Sequence, residues 1–181
     1  KKNNFERQKL LTYFSLVDTY LRLENVEQAT FYNDKGLDEA NTREYTDLYP
    51  LFLSNKGIIS YKKGAFEDTI AICNTLVNDS TLASNSKFLV TNYLYLGKSH
   101  FALEDYDEAI ASFEALKISS NNYDDVSPFN LKEVYYYLAK SYIKTGDPEL
   151  SNKNFDLLVA LDKENDLVTK NAERKIYKTF D

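Results

Sequence analysis

The chain of 181 residues has no methionine and no tryptophan, one cysteine, one histidine, three prolines and five glycines. Each scarcity removes a class of explanation. The single thiol, Cys73, allows no internal disulfide, and His100 has no second His or Cys at metal-ligand spacing. The few glycines leave no glycine-rich loop to cradle a phosphate. No apolar run approaches the roughly 18 residues that a membrane-spanning helix needs, and the mean hydropathy of −0.49 agrees. Basic charge is in deficit as well. The net charge of −6, with a pI near 4.9, argues against this segment holding a nucleic-acid backbone. The chain begins at Lys1 without a methionine, so we expect a processed protein or a fragment whose targeting information is out of view.

Apolar and aromatic side chains are present in quantity: 43% hydrophobic residues, with 15 Tyr and 11 Phe. Their spacing is helical. In residues 93–113, Leu96, His100 and Leu103 share one face of a first helix, and Gly97 lets a partner helix approach. Glu104 and Asp105 make the turn, with Asp105 as the expected cap, and Tyr106, Ala109, Ile110 and Phe113 fall on the inner face of a second helix. This hairpin recurs. Val17, Gly57, Gly97 and Ala139 occupy one position at offsets of 40, 40 and 42 residues. The turn recurs as Glu24, Gly64, Glu104 and Gly146, and the small position of the second helix as Ala29, Thr69, Ala109 and Ser151. One hairpin cannot bury its apolar face alone, so the copies must stack.

Taken in order, residues 4–23 form the first long helix, and its partner runs from about Val26 to Lys35, where Gly36 is expected to end it. Asn41 or Thr42 is expected to cap the next helix, and Pro50 to break or bend the chain. Residues 78–86 and 118–130 are polar connections, and Pro148 suits the first turn of a helix. In residues 164–180, Val168, Ala172, Ile176 and Phe180 recur at four-residue steps beside Leu167 and Tyr177, as a terminal helix covering the fourth copy would require; it could equally lead into a further domain after Asp181. The expected fold is one all-α domain over 1–181. Its repeats span about 10–38, 50–78, 90–118 and 132–161, with a capping helix at about 164–180.

No residue set converges on catalysis. His100 stands at a packing position and reads as a packed, hydrogen-bonded core residue, and Cys73 lies on an inner helical face with no base placed to activate it. The 28 Asp and Glu fall mostly on solvent faces and in turns. We expect no enzyme, no cofactor and no metal.

The spacing Tyr93-x2-Leu96-Gly97-x2-His100 followed by Ala109-x3-Phe113 resembles a tetratricopeptide repeat, in a period longer than the usual 34 or so residues. The resemblance implies an α-α superhelix, a solenoid of four helical hairpins plus the terminal helix. In such solenoids the first helix of each pair lines a concave groove. By register the groove candidates are Phe14, Asp18 and Arg22; Asn55, Ile58 and Lys62; Tyr95, Lys98 and Phe101; and Tyr137, Lys140 and Lys144. The lysines with tyrosines between them suit an extended peptide or an acidic segment of a protein partner. Chaperone-type members grip a terminal carboxylate with a Lys/Asn/Arg clamp. Asn55 matches one clamp position, but Phe14 and Asp18 stand where Lys and Asn are wanted.

Residues 50–64, 93–116 and 173–181 are also similar to stretches of bacterial signalling proteins in which such a solenoid precedes a membrane-spanning helix and a helix-turn-helix domain. That likeness implies a sensor or ligand-binding region of a transcription regulator, periplasmic in place, with a cytoplasmic setting as the alternative. A structural adaptor in a larger assembly is the competing function.

Overall fold

Steps of three and four between apolar residues give eight α-helices in the computed structural model, which describes residues 2–41, 45, 47–82, 85–120 and 126–177. The helices are α1 (Lys2–Arg22), α2 (Val26–Ala40), α3 (Tyr49–Lys62), α4 (Phe66–Val77), α5 (Ser86–Ala102), α6 (Tyr106–Ser119), α7 (Pro128–Thr145) and α8 (Pro148–Tyr177). There is no strand among the described residues. Each helix packs on the next, and the odd-numbered helices also touch one another, α1 on α3, α3 on α5 and α5 on α7. No even-numbered pair touches among the described residues. Two layers follow, with the first helices of the hairpins on the inside of the curve. This is the expected all-α superhelix of helical hairpins.

The hairpins close alike. Glu24, Gly64, Glu104 and Gly146, equivalent by register, all have left-handed backbones, with φ of 56°, 77°, 65° and 86°. A glycine enters that region freely, whereas a side chain there costs about 1–2 kcal/mol. Glu104→Gly should therefore stabilise the fold by about 1 kcal/mol; an unchanged or lowered melting temperature would remove the strain argument.

Behind each turn, Ala29, Thr69, Ala109 and Ser151 are all buried. The two hydroxyls bond back to the carbonyl at the glycine-equivalent position of the preceding helix, Thr69 to Gly57 at 3.2 Å and Ser151 to Ala139 at 2.9 Å. At Gly97 a Cβ would lie 2.7 Å from the Phe113 ring, which explains the glycine. Asn33, four residues beyond Ala29 as Phe113 is beyond Ala109, is 1% exposed, and neither side-chain polar atom has a hydrogen-bond partner among the described residues. A buried orphan amide of this kind costs roughly 1–3 kcal/mol. Asn33→Leu should raise the denaturation midpoint, and a fall would show that the amide is satisfied in solution.

Several local expectations are corrected. Gly36 does not end a helix: α2 runs on to Ala40, and Gly36 is buried against Phe52. Asn41 caps the C-terminus of α2 instead of starting a helix, and Thr42 lies outside the described residues. Pro50 bends nothing, because it sits in the first turn of α3, where no N–H is required. Asp105 stands at the start of α6 without a side-chain capping bond; Asn25, Asn85 and Ser127 do cap, accepting from Gln28, Phe88 and Asn130. The terminal helix expected at 164–180 is the C-terminal part of α8, which continues from Pro148 because residues 161–166 contain no glycine or proline. The side chains of its apolar stripe, Leu167 to Phe180, lie outside the described residues, as do residues 121–125.

Candidate binding groove

By register, the groove side of each first helix is one stripe, at six, three and two residues before the glycine-equivalent position and one, four and five after it, part buried and part exposed. Charge divides between the layers. Helices α1, α3, α5 and α7 carry eleven Lys and Arg against three Asp and Glu, a balance of +8; α2, α4, α6 and α8 carry seven against fifteen, a balance of −8. Some of these inner-helix cations pair outward, Arg7 with Asp47, Lys9 with Glu39 and Lys132 with Asp162. The stripe itself still holds Arg22, Lys62, Lys98, Lys140 and Lys144 against Asp18 and Glu133, so the concave side of a chain acidic overall is basic.

At the N-terminal end of the groove, a cleft of ≈310 Å³ opens between α1, α3 and α5, lined by Phe14, Asp18, Asn55, Ile58, Phe88 and Thr91 among others. Four of the sequence candidates meet here. Phe14 and Ile58 are half-buried walls of the core. Asn55 is buried, and its Nδ2 has no partner among the described residues; the neighbouring Ser54 hydroxyl donates to Asn92 Oδ1 at 3.1 Å. Asp18 and Arg22, both exposed, form an ion pair at 2.9 Å, so their charges cancel at the rim.

In the middle, Lys98 is not an open groove cation. The residue is 8% exposed, and its ammonium donates to both carboxylate oxygens of Glu133, at 3.0 and 3.1 Å. The rings of Tyr61, Tyr95 and Tyr137 surround the ammonium at 5.1, 5.3 and 5.8 Å. Burial pushes the Tyr95 phenol up to about 12 and raises Tyr61 and Tyr137 as well, with the Glu133 charge adding to each. The three phenols thus stay neutral around the ion pair at physiological pH. Phe101 packs edge-on against Tyr137 at 5.0 Å and serves as wall.

At the C-terminal end the lysines are open. Lys140 is half-buried, donates to the Tyr136 hydroxyl at 3.3 Å and lies over that ring; Lys144, exposed, lies over Tyr106 at 5.8 Å. Lys62 is exposed at the equivalent position of the second hairpin. Lys62, Lys140 and Lys144 have no ion pair among the described residues.

Two groove residues escaped the sequence reading, Tyr61 and Glu133. Glu133 lies seven residues before Lys140 on the same helical stripe, so extending the stripe by two turns would have found it.

His100 is partly buried, as its packing position requires, but its Nδ1 lies 3.7 Å from Asp105 Oδ2 and makes no hydrogen bond among the described residues. Cys73 is buried, and burial pushes its thiol up to about 12. A thiol raised in the folded state favours folding below its unfolded value, and that contribution is lost as pH rises from about 9 to about 12. Near pH 8 the native chain should leave an aromatic disulfide reagent untouched and react only on unfolding; prompt native reaction would contradict the burial. Among the described residues no three His, Cys, Asp or Glu side chains gather as a metal ion would require, and no helix is long and apolar enough to cross a membrane.

One known family matches. It is the tetratricopeptide repeat, over residues 91–118. The matched segment covers most of α5 and nearly all of α6, and with the stacked helices it supports a tetratricopeptide repeat protein. No curated protein matches the chain. Tetratricopeptide repeats serve in protein–protein interaction and are generally non-enzymatic binding modules, which makes the concave layer the first place to look for a partner.

Proposed function

We propose that the chain is a protein- or peptide-binding module, one solenoid domain whose concave layer takes an acidic segment of its partner. The observation that carries this reading is the charge division: +8 on the inner helices of a chain whose net charge is −6. Such a layer draws an anionic segment in and repels a cationic one. The likeness of residues 50–64, 93–116 and 173–181 to bacterial membrane-tethered regulators supports a place as their periplasmic sensor or ligand-binding region.

Fluorescence anisotropy with labelled peptides of equal length, one glutamate-rich and one lysine-rich, tests the groove. The acidic peptide should bind, with affinity falling as salt is added. Changing Lys140 and Lys144 to Glu should weaken binding at least tenfold, and the same change at Lys35 and Lys153 on the outer helices should not. Equal responses from both pairs would move the contact to the convex face and favour the adaptor reading. Fractionation of the natural gene product tests the location, and a purely cytoplasmic product would sink the sensor placement.

A further inference from the structure

Glu133 is the single carboxylate on α3, α5 and α7, helices that between them carry seven lysines. It does not sit at the rim as a solubilising charge. Both its oxygens lie against the Lys98 ammonium, whose other neighbours are the three tyrosine rings. Lys98 occupies the register position of Lys140, so the chain places two groove cations in equivalent sites, one open and one filled. The Glu133 side chain is 28% exposed and that of Lys98 is 9%, so the carboxylate forms the solvent side of the site and the ammonium its floor. A carboxylate arriving from the groove would meet Glu133 first, and could pair with Lys98 only by taking its place.

Such an exchange is physically balanced. The desolvation of Lys98 is already incurred in folding, the aromatic walls stay where they are, and the water that the incoming carboxylate gives up is offset by the water that the displaced Glu133 regains. The site is thus a preformed seat for one carboxylate, walled by neutral phenols.

We propose that Lys98 is the groove's seat for a partner carboxylate, and that Glu133 is a built-in competitor that occupies it until an acidic side chain or a chain terminus displaces it. This rests on the concave-groove reading. A built-in competitor lowers apparent affinity by the fraction of time the seat is free, so neutralising Glu133 should tighten binding while leaving Lys98 in place.

The test uses two fluorescein-labelled probes: an eight-glutamate peptide with an amidated end, and an alanine–serine peptide with a free terminal carboxylate. Glu133→Gln preserves length and a hydrogen-bond acceptor, and Glu133→Leu preserves bulk with neither. The folded variants should bind one probe about tenfold more tightly than the natural chain, and adding Lys98→Met should abolish the gain. The tightened probe tells whether the seat takes a side chain or a terminus. Variants within twofold of the natural chain, while that chain binds a probe in a salt-dependent way, would overturn the competitor and leave the groove reading intact. Binding of neither probe by any form would remove the groove reading, and the seat with it. Failure of both variants to fold would assign the pair to stability alone and overturn the proposal.

Discussion

Gly36→Val should cost about 3 kcal/mol of stability in denaturant melts, the upper end of what overpacking usually takes. A Cβ at Gly36 would lie 2.1, 2.4 and 2.5 Å from three carbons of the Phe52 ring. That ring cannot swing aside. Phe52 is 1% exposed, packed with Leu10, Ala40, Tyr45 and Leu48, and meets Phe14 edge-on at 6.1 Å. Replacing glycine inside a helix ordinarily gains up to about 1 kcal/mol of propensity, so a loss means that the overlap wins. Phe52→Ala alone should cost about 3–5 kcal/mol through the cavity it leaves. In the double variant the valine enters that cavity, and the combined loss should fall short of the two single losses together by at least about 1 kcal/mol. Strict additivity, or a Gly36→Val melt equal to the natural one, would mean that α2 and α3 are not in the contact described.

The same glycine shows where local reading stops. After a stretch ending in Asp34 and Lys35, a glycine has the look of a helix end. What decides its role is a ring sixteen residues on, across a connection of which residues 42–44 and 46 lie outside the described residues. Where the requirement is local and repeated, the sequence is legible. Glu24, Gly64, Glu104 and Gly146 could be aligned as turn positions from spacing alone, and all four share the left-handed backbone that the alignment requires. The match over residues 91–118 falls on the hairpin whose motif is most complete, the one built around Gly97 and Ala109.

The groove divides in the same way. Register alone puts Phe14, Asp18, Asn55 and Ile58 together, because equivalent positions on parallel helices line one cleft. Register says nothing about which lysines are open. Lys98 and Lys140 share a position, yet one is closed by a carboxylate 35 residues away in sequence and the other meets only Tyr136 among the contacts described. Pairing across hairpins depends on the residue facing each lysine from the next inner helix, and Lys98 has Glu133 there.

That pairing yields the second large effect. Glu133→Leu leaves a buried ammonium without its counter-ion, and should cost about 3 kcal/mol, the lower end for a broken buried pair because Glu133 keeps some contact with water. Lys98→Met leaves the opposite partner, a carboxylate that can turn outward, and should cost only about 1 kcal/mol. With both changes the site becomes leucine and methionine among three tyrosine rings, and should come within about 1 kcal/mol of the natural chain or exceed it, as hydrophobic replacements of buried pairs often do. The coupling read from this cycle should be about 3 kcal/mol or more. It should also hardly change between low and high salt, since ions screen buried pairs far less than exposed ones; the exposed Asp18–Arg22 pair, treated the same way, serves as the screened comparison. A coupling near zero, or one that salt erases, would show that Lys98 and Glu133 lie open to solvent, and the closed seat would give way to an ordinary exposed pair.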